Sequence, residues 1–460
     1  MQWHSDKKTL MANHFQNSIF KMSNFPLLLA KVKHILKSDL VRVSLLNSIA
    51  TIIRMITGLV SVKVIAAIIG PAGIALLGQL NNFSTILLSI SNGGINAGIT
   101  KYVSENSDNE EAYTPYLSTG FWITVVLTGM LSLVLVFGAG YFAEHILLDI
   151  KYKTIFYIFG ATLFFYSFST LLVSILNGFK EYKKYVIINI AGSIVGLIFS
   201  IILSIKFGIY GALLSAVTFQ SVLFLLILGI IAKSPWFKWK QIVSHFNKSV
   251  SIKLGHYTMM ALASAITIPA GQLIVRKFIT SNSSIAEAGL WEGVNRISNM
   301  YLMVITVSLG VYYLPRLAEL KNKVELRNEI LKVYKLIIPF LVITTIGIFF
   351  SRFLIIRILF TQEFSGMKDL FAFQLVGDFL KIAGWVLGYL LIAKAMTKTY
   401  IIMELVNFVL LIVLCYFLVN QFGAVGATIG YAIVYLVYLV VLLVVFRKLL
   451  FPDKTEHDHP

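Results

Sequence analysis

Several ionisable residues sit in stretches of this sequence that are otherwise built for hydrocarbon. The run "FQLVGDFLKIAGWVLGYLLIAKA" (373–395) carries Asp378 and Lys381. Arg54 and Lys63 lie in the apolar run 44–66, Arg296 in 290–314 and Glu404 in 401–419. A charge at a bilayer centre costs about 2.5–3.5 kcal/mol on insertion scales, so the four cations would together cost roughly 10–14 kcal/mol if unpaired. Such groups face a bundle interior or a water-filled cavity, which makes them the candidate functional residues. Asp378 and Lys381 are three positions apart, about 300° around a helix, and point within about 60° of each other. Gln374 and Trp385 share that side. Two readings stay open: a neutralised pair that locks two helices together, or a polar stripe lining a cavity, with Asp378 able to exchange a proton.

The other charges are less tidy. Arg54 and Lys63 are nine residues apart, about 180° on an ideal helix, so they share a cavity only if the helix bends, and Gly58 is the place for it. Arg276 and Lys277 close the outer end of the run 254–275, where snorkelling to headgroups is the alternative use. Glu292 and Arg296 form an i, i+4 pair, which serves equally as a structural ion pair or as part of a binding site.

The elements that must position these residues are membrane helices. The chain has 460 residues, 58% of them hydrophobic and 13% charged, with a mean hydropathy of +0.83. Soluble domains run about 45–50% apolar and roughly 25% charged. The pattern predicts an all-α polytopic membrane protein with twelve spans, near 44–66, 74–99, 117–138, 154–177, 185–205, 210–232, 254–275, 290–314, 336–350, 370–393, 401–419 and 424–446. Of the 39 Lys and Arg, 27 fall in the termini and the loops on their side, and 8 in the opposite loops. The positive-inside rule therefore places both termini in the cytoplasm. The net charge of +18 is a topology signal with anionic-lipid contact added, and no nucleic-acid partner is expected. One cysteine, Cys415, excludes an intrachain disulfide. Residues 1–43 are basic and lack a signal-peptide pattern. Within them, 25–42 reads either as a surface amphipathic helix with Pro26 near its start, or as a tail preceding a start at Met11 or Met22.

The chain repeats itself. "FGIYGA" (207–212) returns as "FGAVGA" (422–427) at an offset of 215, which also relates Tyr185 to Tyr400. "GLVSVK" (58–63) parallels "GQLIVR" (271–276), so Lys63 and Arg276 occupy matching positions, one in each half. This predicts two parallel six-helix bundles, 44–232 and 254–446, joined by a basic linker at 233–253 and followed by a tail at 447–460. Transporters built from repeats place their substrate path between the halves. Pro269 and Pro339 mark kinks. The glycine pairs Gly94/Gly98, Gly192/Gly196, Gly384/Gly388 and Gly426/Gly430 mark close helix contacts. No GxxxxGK[ST] and no HExxH occurs, the "HDHP" tail lacks further ligands, and no loop has room for a catalytic domain. No cofactor or metal is expected, and the chemistry indicated is transport.

"GPAG" (70–73), "TKYVSENSDN" (100–109), "LMVITVSLGVYYLPRLAEL" (302–320) and "MKDLFAFQLVGDFLK" (367–381) followed by "GYLLIAKA" (388–395) resemble the Wzx-type flippases of the MOP (multidrug/oligosaccharidyl-lipid/polysaccharide) exporter superfamily. The similarity runs from about residue 44 to the end of the last span. Residues 1–43 and the "KTEHDHP" tail depart from it. The resemblance implies a MATE-like V of two six-helix bundles. It also implies a cargo of undecaprenyl-pyrophosphate-linked oligosaccharide, the repeat unit of O-antigen or enterobacterial common antigen, moved from the cytoplasmic to the periplasmic leaflet of the bacterial inner membrane. It implies a cationic central cavity, onto which Arg54, Lys63, Arg276 and Lys381 map, with Arg296 a further candidate. Lys63 and Arg276 would hold the pyrophosphate. Asp378 and Glu404 are the coupling candidates, and Asp378/Lys381 would report protonation or close the cavity. The repeat-unit polymerase and chain-length regulator are the protein partners the family implies. An ion gradient and consumption of the flipped product both remain as drives. Three rival readings are a cation-coupled drug exporter of the same superfamily, a membrane-embedded polymerase and a major-facilitator sugar transporter. A positive lumen counts against the first, the shortness of the loops against the second, and the acidic loop "ENSDNEE" (105–111) against the third.

Overall fold

The computed structural model describes residues 39–451, apart from the side chains of 39–48, 256, 257, 260, 261 and 311. It divides into two compact units, Met1–Ile53 and Arg54–Pro460. In the first, the described residues 39–53 are helical; everything below concerns the second. The surface helix expected over 25–42, except its last four residues, and the tail 452–460 lie outside the described residues.

No strand occurs among the described residues. The helices in chain order are α1 (Asp39–Ser91), α2 (Asn96–Glu105), α3 (Glu110–Phe137), α4 (Ala139–Ile146), α5 (Lys153–Gly178), α6 (Tyr182–Ile231) and the short α7 (Trp239–Ile242). They continue with α8 (Lys248–Asn282), α9 (Ile285–Ser308), α10 (Leu314–Glu319), α11 (Lys323–Leu359), α12 (Phe371–Ala393), α13 (Thr397–Val445) and α14 (Arg447–Leu450). Eight described helices are long and apolar enough to cross a membrane. The apolar side chains Ile194, Ile198 and Ile202 of α6 and Phe340, Ile343 and Phe350 of α11 point outward, as a hydrocarbon surround requires.

Three of the eight are too long for one crossing. The segments Ile49–Ser91, Tyr182–Ile231 and Thr397–Val445 have 43, 50 and 49 residues, or roughly 65–75 Å of straight helix against about 30 Å of hydrocarbon. Each is interrupted by one glycine in the left-handed region: Gly70 (φ 63°), Gly208 (φ 57°) and Gly423 (φ 57°). Only glycine enters that region without steric cost. At Gly208 the chain folds back on itself. Ser200 Oγ and Ser215 Oγ lie 2.9 Å apart, where a straight helix would separate them by about 22 Å. At Gly423 the same reversal brings Cys415 Sγ to 4.0 Å from the Ala427 carbonyl.

The 215-residue repeat reappears in the backbone. Gly208 and Gly423 are 215 apart and share their φ. Lys180 and Ala395, also 215 apart, are two of the three non-glycine residues with positive φ among those described. Each ends a helix in a Schellman motif: Glu181 N–H donates to Leu176 O and Lys180 N–H to Asn177 O, as Met396 does to Leu391 and Ala395 to Ile392. One buried cluster draws only on residues between Ile95 and Leu254, another only on residues between Leu302 and Leu450. A third, from Val62 to Ala427, joins helices of both halves.

Two local departures have simple causes. The span expected over 336–350 is part of the longer α11, and its Pro339 is accommodated inside that helix. Between α9 and α10 the chain makes one π turn, Leu309–Tyr313, just before Pro315, which has no N–H to give.

A Cβ at Gly211 would overlap the Leu203 carbonyl, at Gly426 the Leu418 carbonyl and at Gly289 the Pro71 carbonyl. Gly426→Ala and Gly289→Ala should therefore each destabilise the fold by about 1–3 kcal/mol, as overpacking does. Thermal unfolding of the detergent-solubilised protein checks this, and an unchanged midpoint would show that the limbs can separate freely.

Candidate functional site

A large cavity, about 710 Å³, is walled by α1, α5 and α6 and reached from α9 by Arg296. Its two cations are Arg54 and Arg296, and no described carboxylate lines it. The rest of the polar lining is hydroxyl and amide: Asn81, Asn96, Ser174, Asn189, Ser193 and Gln220 among others. The reason lies in the helix period. Asn189, Ser193, Gly196 and Ser200 recur at three- and four-residue spacing on α6, so they form one polar stripe. Attention to charges alone misses this stripe, although its spacing is plain in the sequence. Arg54 donates to Asn189 Oδ1 at 2.5 Å, which anchors the guanidinium to the wall.

Arg296 is held differently. Its Nε lies 3.2 Å from Glu292 Oε1, one turn back on α9. The other oxygen of Glu292 receives Arg276 Nη2 at 2.5 Å, and Arg276 Nη1 donates to Gln79 Oε1 at 3.0 Å. Arg276 is 2% exposed and lies over the Trp291 ring, 5.4 Å from its centroid. One carboxylate thus serves two arginines. It can approach because Gly78 on α1 has no side chain; a Cβ there would overlap the Glu292 carboxylate.

The expected clamp of Lys63 with Arg276 is not formed. Lys63 is exposed and is absent from the lining of the large cavity. Arg276 is buried in its ion pair and touches a separate cavity of about 160 Å³ beside Lys277 and His145. The two positions that the sequence pairs differ in their surroundings: Arg276 finds Glu292 within reach, and Lys63 stays on the surface.

The stripe on α12 faces inward as expected, but into a different place. Gln374 and Asp378 are buried. Asp378 accepts hydrogen bonds from Tyr301 Oη (2.6 Å), Tyr431 Oη (2.8 Å) and Gln374 Nε2 (3.3 Å). Lys381 does not close an ion pair with it. Its ammonium lies 4.9 Å from the Trp385 ring centroid, 5.7 Å from Tyr431 and 5.4 Å from Tyr435, a cage suited to cation–π attraction. Lys381, Trp385 and Glu404 line a cavity of about 90 Å³ among α8, α9, α12 and α13, room for roughly six waters. Glu404 accepts from Thr267 Oγ1 at 3.4 Å. The six charged candidates in the spans are therefore sorted into three environments: Arg54 and Arg296 on the large cavity, Lys381 and Glu404 on the small one with Asp378 behind it, and Lys63 outside.

Comparison with known proteins bears on what these cavities serve. The family described as "Polysaccharide biosynthesis protein" matches residues 40–321. The lipid III flippase of Escherichia coli (strain K12) is 30% identical over 401 residues, 87% of this chain and 96% of that protein. Among solved structures, an inward-facing multidrug resistance MATE family transporter of the MOP superfamily superposes with a TM-score of 0.74 at 13% identity, over 86% of this chain and 97% of that one. An outward-facing conformation of such a transporter gives 0.66 at 13% identity, over 89% and 94%. These structural likenesses establish a MATE-like fold, and the major-facilitator alternative is set aside by them.

Removing one partner from a buried ion pair costs about 3–5 kcal/mol, because the other charge is stranded. Arg276→Met should lower stability by that amount. Arg276→Lys should restore only part of it, since an ammonium cannot span Gln79 and Glu292 as the guanidinium does. Denaturation midpoints of the purified variants decide this; no loss in Arg276→Met would mean that Arg296 alone satisfies Glu292.

Proposed function

Because the chain belongs to the polysaccharide biosynthesis protein family, we propose that it is a flippase for an undecaprenyl-pyrophosphate-linked oligosaccharide. The observation that carries this reading is the chemistry of the large cavity. It holds two arginines, no described carboxylate and a wall of hydroxyls and amides. A pyrophosphate bearing sugars is anionic and strongly hydrated, so it needs fixed positive charge and hydrogen-bonding surface to leave water. The lipid tail stays in the bilayer, outside the protein. Arg54 and Arg296 hold the pyrophosphate in this reading, and Arg276 acts at one remove by sharing Glu292 with Arg296.

The eight apolar helices give twelve passages when the two limbs of each glycine-broken helix are counted separately and α9 is added. Twelve passages in two six-helix bundles, near 44–232 and 254–446, place both termini on one side. The distribution of Lys and Arg assigns that side to the cytoplasm, and the relatives suggest a bacterial inner membrane. Cargo then enters from the cytoplasmic leaflet and leaves to the periplasmic one by alternating access. Asp378 and Glu404 are the coupling candidates, Glu404 lining the small cavity with Lys381 and Asp378 lying behind it. A repeat-unit polymerase and a chain-length regulator are the expected downstream partners. The rival cargo, a lipophilic cation, finds no described carboxylate in the large cavity to pair with.

Depletion of the protein should cause a pyrophosphate-linked oligosaccharide to accumulate in the membrane, and mass spectrometry of extracted lipids measures it. The mass names the repeat unit. Arg54→Gln and Arg296→Gln should reproduce the accumulation at normal expression, with export lowered at least about ten-fold by loss of a charge-assisted contact. Lys63→Gln should be milder. Unchanged lipids together with new sensitivity to lipophilic cations would replace this reading with drug export.

A further inference from the structure

The large cavity is chemically lopsided. Its two cations come from outside the α5–α6 wall, Arg54 from α1 and Arg296 from α9; Arg54 meets that wall at Asn189, and the wall itself contributes no charged side chain. That wall is not simply apolar. Ser193 donates to the Asn189 carbonyl (2.8 Å), Ser174 to the Thr170 carbonyl (2.9 Å) and Ser169 to the Phe165 carbonyl (2.7 Å). Each hydroxyl proton is spent within its own helix, so each oxygen keeps its lone pairs for an incoming donor. Elsewhere in the lining, capacity is left wholly open. Asn96 Oδ1, from α2 in the same lining, is buried without a hydrogen-bond partner among the described residues. Leaving a buried polar group unpaired is costly. Between the polar groups the surface is flat and apolar: Gly192 packs on Leu223 and Gly196 on Phe219, and both partners also line the cavity.

Acceptor oxygens, the Gln220 amide and apolar patches on one wall without charged side chains of its own match one ligand chemistry. Sugar hydroxyls donate to the serine oxygens, acetamido groups and ring oxygens pair with the amides, and sugar C–H faces lie on the apolar patches. Beyond Arg54 at Asn189, a phosphate would find no cation there. The geometry points to a glycan subsite on the α5–α6 wall, distinct from the pyrophosphate position at Arg54 and Arg296, that takes an oligosaccharide without positive charge. The subsite rests on the flippase reading and adds to it an orientation: the sugars lie against α5 and α6 and the pyrophosphate at Arg54 and Arg296. Residues of the wall, Ser193 and Gln220 foremost, are then the determinants of which repeat unit is accepted.

The test is equilibrium binding to the full-length protein in nanodiscs with two probes. One is undecaprenyl pyrophosphate, and the other is undecaprenyl pyrophosphate carrying a single N-acetylglucosamine. The wild type should bind the glycosylated lipid more tightly. Ser193→Ala combined with Gln220→Leu should weaken the glycosylated lipid about ten-fold, the loss of one to two hydrogen bonds, and leave the bare lipid within about two-fold. Arg54→Gln should weaken both. Ser174→Ala, a second wall variant on α5, should repeat the sugar-selective loss. Equal weakening of both lipids by both wall variants, at unchanged melting temperature, would overturn the subsite, as would a wild type that does not distinguish the two lipids; the flippase reading survives either result. A wild type that binds neither lipid overturns that reading and the subsite with it.

Discussion

Glu292 lies between two arginines, 2.5 Å from Arg276 and 3.2 Å from Arg296. Much of the arrangement follows from that shared carboxylate. In a low-dielectric interior an arginine keeps its charge, so Arg276, nearly fully buried, must be matched. Glu292 and Gln79 match it, and in doing so they bring α8 and α9 against α1. The same carboxylate fixes Arg296 at the margin of the large cavity. Gly78 completes the arrangement by leaving room where a side chain would collide with the carboxylate. One acid between two bases leaves a net positive charge, and Arg296 is where that charge meets the cavity.

The second constraint is backbone geometry in hydrocarbon. Peptide groups have no water there to bond, so a chain that turns must keep its hydrogen bonds or hide the turn. Gly208 and Gly423 meet this with a single left-handed residue between two helical limbs. The limbs stay close because small residues face each other across the reversal: Ser200 against Ser215 on α6, Cys415 against Gly430 on α13. Rigid hairpins of this kind place the α6 stripe at a fixed angle to the cavity, which a flexible loop would not.

The C-terminal helices treat their charges in another way. Asp378 is held by hydroxyl and amide donors and Lys381 by aromatic faces, and the two form no direct ion pair. Tyr431 touches both, giving its hydroxyl to Asp378 and its ring to Lys381. The two charges are coupled through that side chain without meeting. This keeps the small cavity polar and separate from the large one, with Asn295 and Arg296, neighbours on α9, facing one cavity each.

Composition and periodicity alone determined that this chain lives in a membrane, that its two halves repeat at an offset of 215, and that the Gln374–Trp385 stripe faces inward. These are local properties: hydropathy needs only a window, and a helix period needs only neighbours. The glycines that reverse the chain were also visible, as the repeated "FG" motif, although their left-handed backbone was not. Tertiary structure decided which charges share a cavity. Lys63 and Arg276 are equivalent in the repeat, yet one is exposed and the other buried, because Glu292 and Gln79 reach only Arg276. Of the two cations on α1, Arg54 lines the large cavity and Lys63 does not, since nine residues place them on opposite sides of a helix and only packing selects which side faces α6. The uncharged stripe of serine and asparagine acquired meaning only when α5 and α6 were seen to wall one space with Arg54 and Arg296, because a hydroxyl signals nothing by itself until its surroundings are known.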